Sequence, residues 1–273
     1  MVDNRTGGER RPSRGRGGDG PRGPQRRDRR PDGPSSRPAG VRRPESRNGA
    51  DDKHEGPPIP SEIEPKQLAP EIRRELSTLD KATADAVARH LVAAGTLLDE
   101  DPEAALSHAR AARARSGRIA AVREAVGIAA YQCGDWSQAI AELRAARRMG
   151  SKSPLLPLIA DCERGLGRPE RALELARGDE ASKLTGDEAD EMRIVIAGAR
   201  ADLGQLEQAL TVLSTPQLDP TRTGTISARL FYAYAEALLA LDRKDEALQW
   251  FLHAAEADID GATDAEDRVS ELG

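Results

Sequence analysis

The sequence predicts an all-α protein, a solenoid of about five helical hairpins preceded by a disordered basic tail. Three observations carry this reading. A short phrase recurs along the chain at a nearly constant spacing. The segments between its copies are rich in Ala, Leu and Val at helical periodicity, with no run that reads as a strand. The first 60 residues differ sharply from the rest, with ten Pro, eleven Gly and no Phe, Tyr or Trp.

The tail comes first. Residues 1–60 hold fourteen Arg and one Lys against nine acids, a net of +6, whereas 61–273 hold 26 basic and 37 acidic residues, a net of −11. A segment with so little apolar surface does not recover the roughly 1–2 kcal/mol per residue that ordering a backbone costs. Residues 1–60 are therefore expected to be disordered. Gly56-Pro57-Pro58-Ile59-Pro60 stiffens the junction, residues 61–79 form a linker and an N-terminal cap helix over Pro70–Leu79, and five hairpins fill 80–260. Gly261-Ala262-Thr263-Asp264 opens a last polar helix, 261–273, that shields the far end.

The repeated phrase is an acidic or glycine turn, then an Ala followed by an apolar residue. It occurs at 100–106, 134–140, 167–173, 204–210 and 242–248, and its marker alanines, Ala105, Ala139, Ala172, Ala209 and Ala247, lie 34, 33, 37 and 38 residues apart. Each marker sits between two helical runs, so each copy is a helix–turn–helix hairpin. A hairpin this Ala-rich cannot bury enough surface alone; stacking makes one continuous core, and Ala at the crossings lets helices approach closely. Pro154, Pro157 and longer connections at 178–187 and 214–226 stretch units three and four.

Spacing and residues resemble the tetratricopeptide repeat (TPR) family, whose unit is about 34 residues. The best copy is 120–153, with Gly127 where the helices cross, Tyr131 later in the first helix, Gly134-Asp135-Trp136 at the turn, and Ala139, Leu143 and Ala146 on the inner face of the second helix. Ala105, Ala109 and Ala112, and Ala247, Phe251 and Ala254, match the last three in the first and fifth units. The family's early Trp is missing throughout. The resemblance covers about 80–258. It implies a groove lined by the first helices that holds a peptide or partner helix, and by position it assigns His90, Glu124, Tyr131, Asp161, Arg164, Tyr232 and Glu236 to that groove. Glu124, Asp161 and Glu236 would repel a C-terminal carboxylate, the ligand that some relatives clamp with Lys and Asn.

The second helices carry a basic pattern. Five residues beyond a marker lie Arg110, Arg144 and Arg177, and eight beyond lie Arg113 and Arg147, which predicts an arginine ladder on the convex side. Acids on neighbouring units are expected to neutralise part of it. In the tail, Arg14-Gly15-Arg16-Gly17-Gly18 and Arg22-Gly23 resemble Arg/Gly-rich segments that bind RNA without sequence preference. Arg14, Arg16 and Arg22 with the ladder arginines are thus the candidate anion or RNA contacts. The tail is also suited to lie on the acidic C-terminal half, 178–273, with eight basic residues against twenty acids.

Chemistry is harder to find. There is no phosphate loop after a strand, and no HExxH, CxxC or GxSxG. His90, His108, Cys133 and Cys162 are too scattered for a metal site and read as packing residues, as does Trp136. Neither cofactor nor metal is expected. Met1–Arg30 lacks the apolar core of a secretory signal, no stretch approaches 18 apolar residues, and two cysteines suit a reducing cytosol, so a cytoplasmic location is expected. The predicted function is a non-enzymatic scaffold that binds a protein or peptide in its groove. The alternative is an RNA- or ribosome-associated protein that uses the tail and the ladder. Oligomeric state is left open.

Overall fold

The computed structural model describes residues 56–273, in which every regular element is a helix, joined by turns and by longer connections such as 214–224. The tail expected over 1–60 lies outside the described residues as far as residue 55, and so do Arg14, Arg16 and Arg22. Twelve α-helices follow one another: α1 (Pro70–Leu76), α2 (Lys81–Leu97), α3 (Pro102–Arg115), α4 (Ala120–Gln132), α5 (Trp136–Arg148), α6 (Leu156–Gly165), α7 (Pro169–Ala176), α8 (Gly186–Asp202), α9 (Leu206–Leu213), α10 (Thr225–Ala240), α11 (Lys244–Ala257) and α12 (Ala265–Leu272). The pairs α2/α3, α4/α5, α6/α7, α8/α9 and α10/α11 are antiparallel hairpins, five in all, and each packs on the next. The all-α, helical-hairpin solenoid expected from the repeats is the fold observed.

Local chemistry sets the ends of these helices. Asp80, Asp101 and Asp135 each accept the N–H of the residue three further on, capping α2, α3 and α5. Pro102 and Pro169 sit in first turns, where a missing N–H leaves nothing unpaired. The hairpin turns of units two to four use a left-handed residue after the first helix: Gly134, Gly167 and Gly204 have φ of 70°, 69° and 71°. The following N–H then bonds back to the helix, from Asp135 to the Ala130 carbonyl, Arg168 to Glu163 and Gln205 to Arg200. In unit five Asp242 takes the same conformation at φ 59°.

First helices of neighbouring units touch at three of the four boundaries, α2 with α4, α6 with α8 and α8 with α10, and each second helix packs on the first helix of the next unit. The first helices thus form one row, here called the inner face, which side chains continue between α4 and α6, where the Tyr131 hydroxyl donates to Asp161. The core runs along the hairpins as Ala-rich clusters: Ala105, Ala109, Val126, Ala139, Leu143 and Ile159 join units one to three, and Phe231, Ala254 and Ala257 hold unit five. At the N-terminal end, Gly56–Pro60 crosses the open face of the first hairpin. A Cβ on Gly56 would lie 2.4 Å from the Cβ of Ala111 and 3.0 Å from the His90 ring. Arg89 secures the end of this segment by donating to the Pro60 carbonyl at 3.4 Å and to the Ile63 carbonyl just beyond it at 3.0 Å. At the other end α12 packs on α11, with Ala265 buried and Val269 and Leu272 against the Phe251 cluster.

Candidate functional site

The inner face is tied together by side chains that reach from one unit to the next. The Tyr131 hydroxyl donates to Asp161, and Arg164 donates to Asp161 at 2.7 Å and, through two nitrogens, to Asp202 at 2.8 and 3.3 Å. This row spans α4, α6 and α8. Arg229 of α10 pairs with Glu191 of α8, and Arg268 of α12 with Glu236 of α10 at 2.9 Å. Glu124 accepts the hydroxyls of Ser151 and Ser153 at 2.7 and 2.6 Å, fixing the turn that enters unit three. Tyr232 is half-buried with its ring edge-on to Phe251, centroids 5.2 Å apart. Burial, then the Asp161 carboxylate, holds the Tyr131 phenol above its ordinary pKa; burial does the same for Tyr232, with Asp264 adding to it. Both stay neutral donors at physiological pH.

One residue assigned to the groove is not on its surface. His90 is 2% exposed, with its Nδ1 3.0 Å from the Nδ1 of His108. The α2 position that resembled a groove position turns instead towards α3 and the crossing Gly56 segment. One ring must donate and the other accept, so the two imidazoles adopt opposite tautomers. Conversely, Glu191, Arg229, Asp202 and Arg268 belong to the inner face and were not among the residues singled out from sequence. A signal existed for two of them: Glu191 and Arg229 both stand thirteen residues before the turn residue of their unit, Gly204 and Asp242.

The arginine ladder is largely consumed by ion pairs. Arg110 bonds Gln138 and lies 3.5 Å from Asp135, Arg113 pairs with Glu142, Arg144 with Glu163 at 2.8 Å, and Arg147 with Glu180. Each arginine reaches one unit forward. Glu142 and Glu163 are buried, with side chains 6% exposed, and Arg123 of α4 also reaches Glu142 at 2.8 Å. A buried carboxylate needs such partners. Arg177 is exposed and makes no ion pair among the described residues.

Several openings lie beside the turns and second helices, one of about 500 Å³ at Trp136, Asp161, Arg164 and Asp202 among them. A cleft of about 920 Å³ lies between α5, α6 and α7, lined by Arg144, Glu163, Arg168, Glu174 and Glu180 together with Leu156 and Leu175. A smaller, apolar cavity of about 330 Å³ opens between α8, α9 and α10, with Arg164 and Glu236 at its rim. Neither the cleft nor this cavity gathers catalytic groups. Burial pushes the Cys162 thiol up to about 12 and also raises Cys133, so neither is a thiolate at neutral pH. Among the described residues no cluster of His, Cys, Asp and Glu could hold a metal ion, and no helix is long and apolar enough to cross a membrane.

The geometry defines a TPR-like helical-hairpin solenoid. No family model and no curated protein matches the chain. Among solved structures, the crystal structure of YrrB, a TPR protein with an unusual peptide-binding site, is similar at 18% identity and a TM-score of 0.42, over 72% of this chain and 97% of that one.

Proposed function

We propose that the protein is a non-enzymatic scaffold that binds a protein or peptide partner along the inner face of its first helices. The supporting observation is the row Tyr131–Asp161–Arg164–Asp202, continued by Glu191–Arg229 and Glu236–Arg268. These half-exposed polar groups are held in place by one another across four units. A surface so preorganised loses little side-chain entropy when a partner exchanges for part of a pair. The alternative RNA reading loses support on the outer face, where four of the five ladder arginines are committed to neighbouring units.

The test uses the full chain. Exchanging the two members of one pair, Glu191→Arg with Arg229→Glu, keeps an ion pair but reverses the local pattern of the face. Partner capture from native lysate should fall with this exchange and survive both nuclease treatment and Arg14, Arg16 and Arg22→Ser. Capture that ignores the exchange but disappears with nuclease or with the tail substitutions would overturn the scaffold reading in favour of RNA.

A further inference from the structure

From unit two onwards, equivalent positions face one another across each seam on the inner face. Counting from the turn residue (Gly134, Gly167, Gly204 or Asp242), the residue three before it in one unit faces the residue six before it in the next. The residue two after the turn faces the residue two before the next turn. Between units two and three both contacts are aromatic: Tyr131 donates to Asp161, and the Trp136 indole lies on Gly165, where a Cβ would sit 2.6 Å from the ring. The two rings also meet edge to face, 5.2 Å apart. Between units three and four Arg164 fills the first contact, lying on Gly198 so closely that a Cβ there would be 2.4 Å from its Cζ.

Between units four and five the same positions are Ala201 opposite Glu236 and Leu206 opposite Ala240. A methyl group and an isobutyl group stand where a phenol and an indole reach across the earlier seam. All four residues line the cavity of about 330 Å³, a size at the lower end of the ~300–1,000 Å³ of ordinary ligand pockets. Ala201 and Ala240 are exposed and Leu206 is half-buried, so the apolar lining is open to the groove. Glu236 holds the place of Asp161, the acceptor of the Tyr131 hydroxyl. Its Oε1 accepts from Arg268, while its Oε2 has no hydrogen-bond partner among the described residues.

We infer that this cavity receives a tyrosine or tryptophan side chain of a partner peptide carrying basic residues beside it, the ring replacing the missing internal aromatics and its O–H or N–H donating to Glu236. This deepens the groove reading and rests on it. Charge selects the flanks: of the two charged residues at the rim, Arg164 is already held by Asp161 and Asp202, whereas the Glu236 Oε2 has no partner among the described residues, and 178–273 holds twenty acids against eight basic residues.

The probe is the capped peptide Arg-Ala-Tyr-Ala-Arg, compared with its Tyr→Ala counterpart by fluorescence anisotropy and by amide shifts of Gly198 and Ala240. The tyrosine peptide should bind at least about tenfold more tightly, about 1.4 kcal/mol. Leu206→Trp should abolish that preference while leaving the melting temperature unchanged or higher. Ala201→Tyr, which rebuilds the Tyr131–Asp161 contact on Glu236, provides a second blocked form if the first fails to fold. Equal binding of both peptides, no binding, or a preference that persists in the blocked forms would overturn the aromatic anchor. The groove reading fails separately: partner capture lost by Glu191→Arg with Arg229→Glu but kept by Leu206→Trp would leave the groove standing without this anchor.

Discussion

Units two and five hold all seven aromatic residues of the chain and use them in opposite ways. In unit two, Tyr131 and Trp136 point forward across the seam to Asp161 and Gly165. In unit five, Phe231 and Tyr234 pack on Trp250, and Tyr232 on Phe251, all within one hairpin, with ring centroids 5.1–5.4 Å apart. An internal unit gains most by coupling to its successor. Unit five, packed against α12, keeps its rings within its own hairpin instead. In a linear array whose stability is nearly a sum of unit and interface contributions, the two placements act on different terms.

That difference can be broken directly, and the largest effects are expected here. Phe251→Ala removes a fully buried ring and should destabilise by about 4 kcal/mol. Hydrogen exchange should show the loss confined to α10, α11 and α12. Trp136→Ala, at a partly buried site, should lose about 3 kcal/mol. Its signature is different: denaturation should split into two transitions, because the seam between units two and three is weakened while both flanking cores remain. A single transition with uniform loss of protection in both variants would refute the distinction.

Acid sharpens the same comparison from the other end. Unit one has no aromatic residue, and its buried polar pair is His90 with His108. Burial, then the charges of Arg115, His108 and Arg89, lowers His90 from 6.5 to about 4, and burial also lowers His108. The folded chain therefore binds fewer protons than the unfolded one in this range. Their contribution is complete above pH 6.5 and is lost on acidification towards 4, by about 1.4 kcal/mol per pH unit for one such group. Amides of α2 and α3 should lose protection between pH 6.5 and 4 before those of α10 and α11. His90→Gln should flatten this dependence.

The fold was legible because its determinants are local and repeated. Marker alanines, turn glycines and capping aspartates recur in register, and each acts within its own hairpin. The inner face was only partly legible, since register identifies positions near it but not which way a given side chain turns. His90 holds a position that resembled the groove, yet Gly56 and His108 close over it. The partners of Arg164 and Arg229 lie 38 residues away in sequence, and only the stacking of units brings them together. The 4/5 cavity is visible in the sequence in retrospect, as Ala201 and Leu206 at the positions of Tyr131 and Trp136, but only once the seam contacts are known.

The smallest effects concern the arginine ladder, and they separate structural arginines from available ones. Arg144 is half exposed, but its partner Glu163 is buried, with its second oxygen only 3.6 Å from Arg168. Removing Arg144 leaves that carboxylate with the more distant, exposed guanidinium alone. A fully buried broken pair costs about 3–5 kcal/mol; with Arg144 itself solvated and Arg168 in reserve, Arg144→Ala should cost about 1–2 kcal/mol. Arg177→Ala, with no pair to lose among the described residues, should change stability by less than about 0.5 kcal/mol. Urea denaturation of the two variants checks this. Equal losses would mean that the ladder is one solvated surface, whereas the expected inequality means that its arginines bind the next hairpin before they bind anything else.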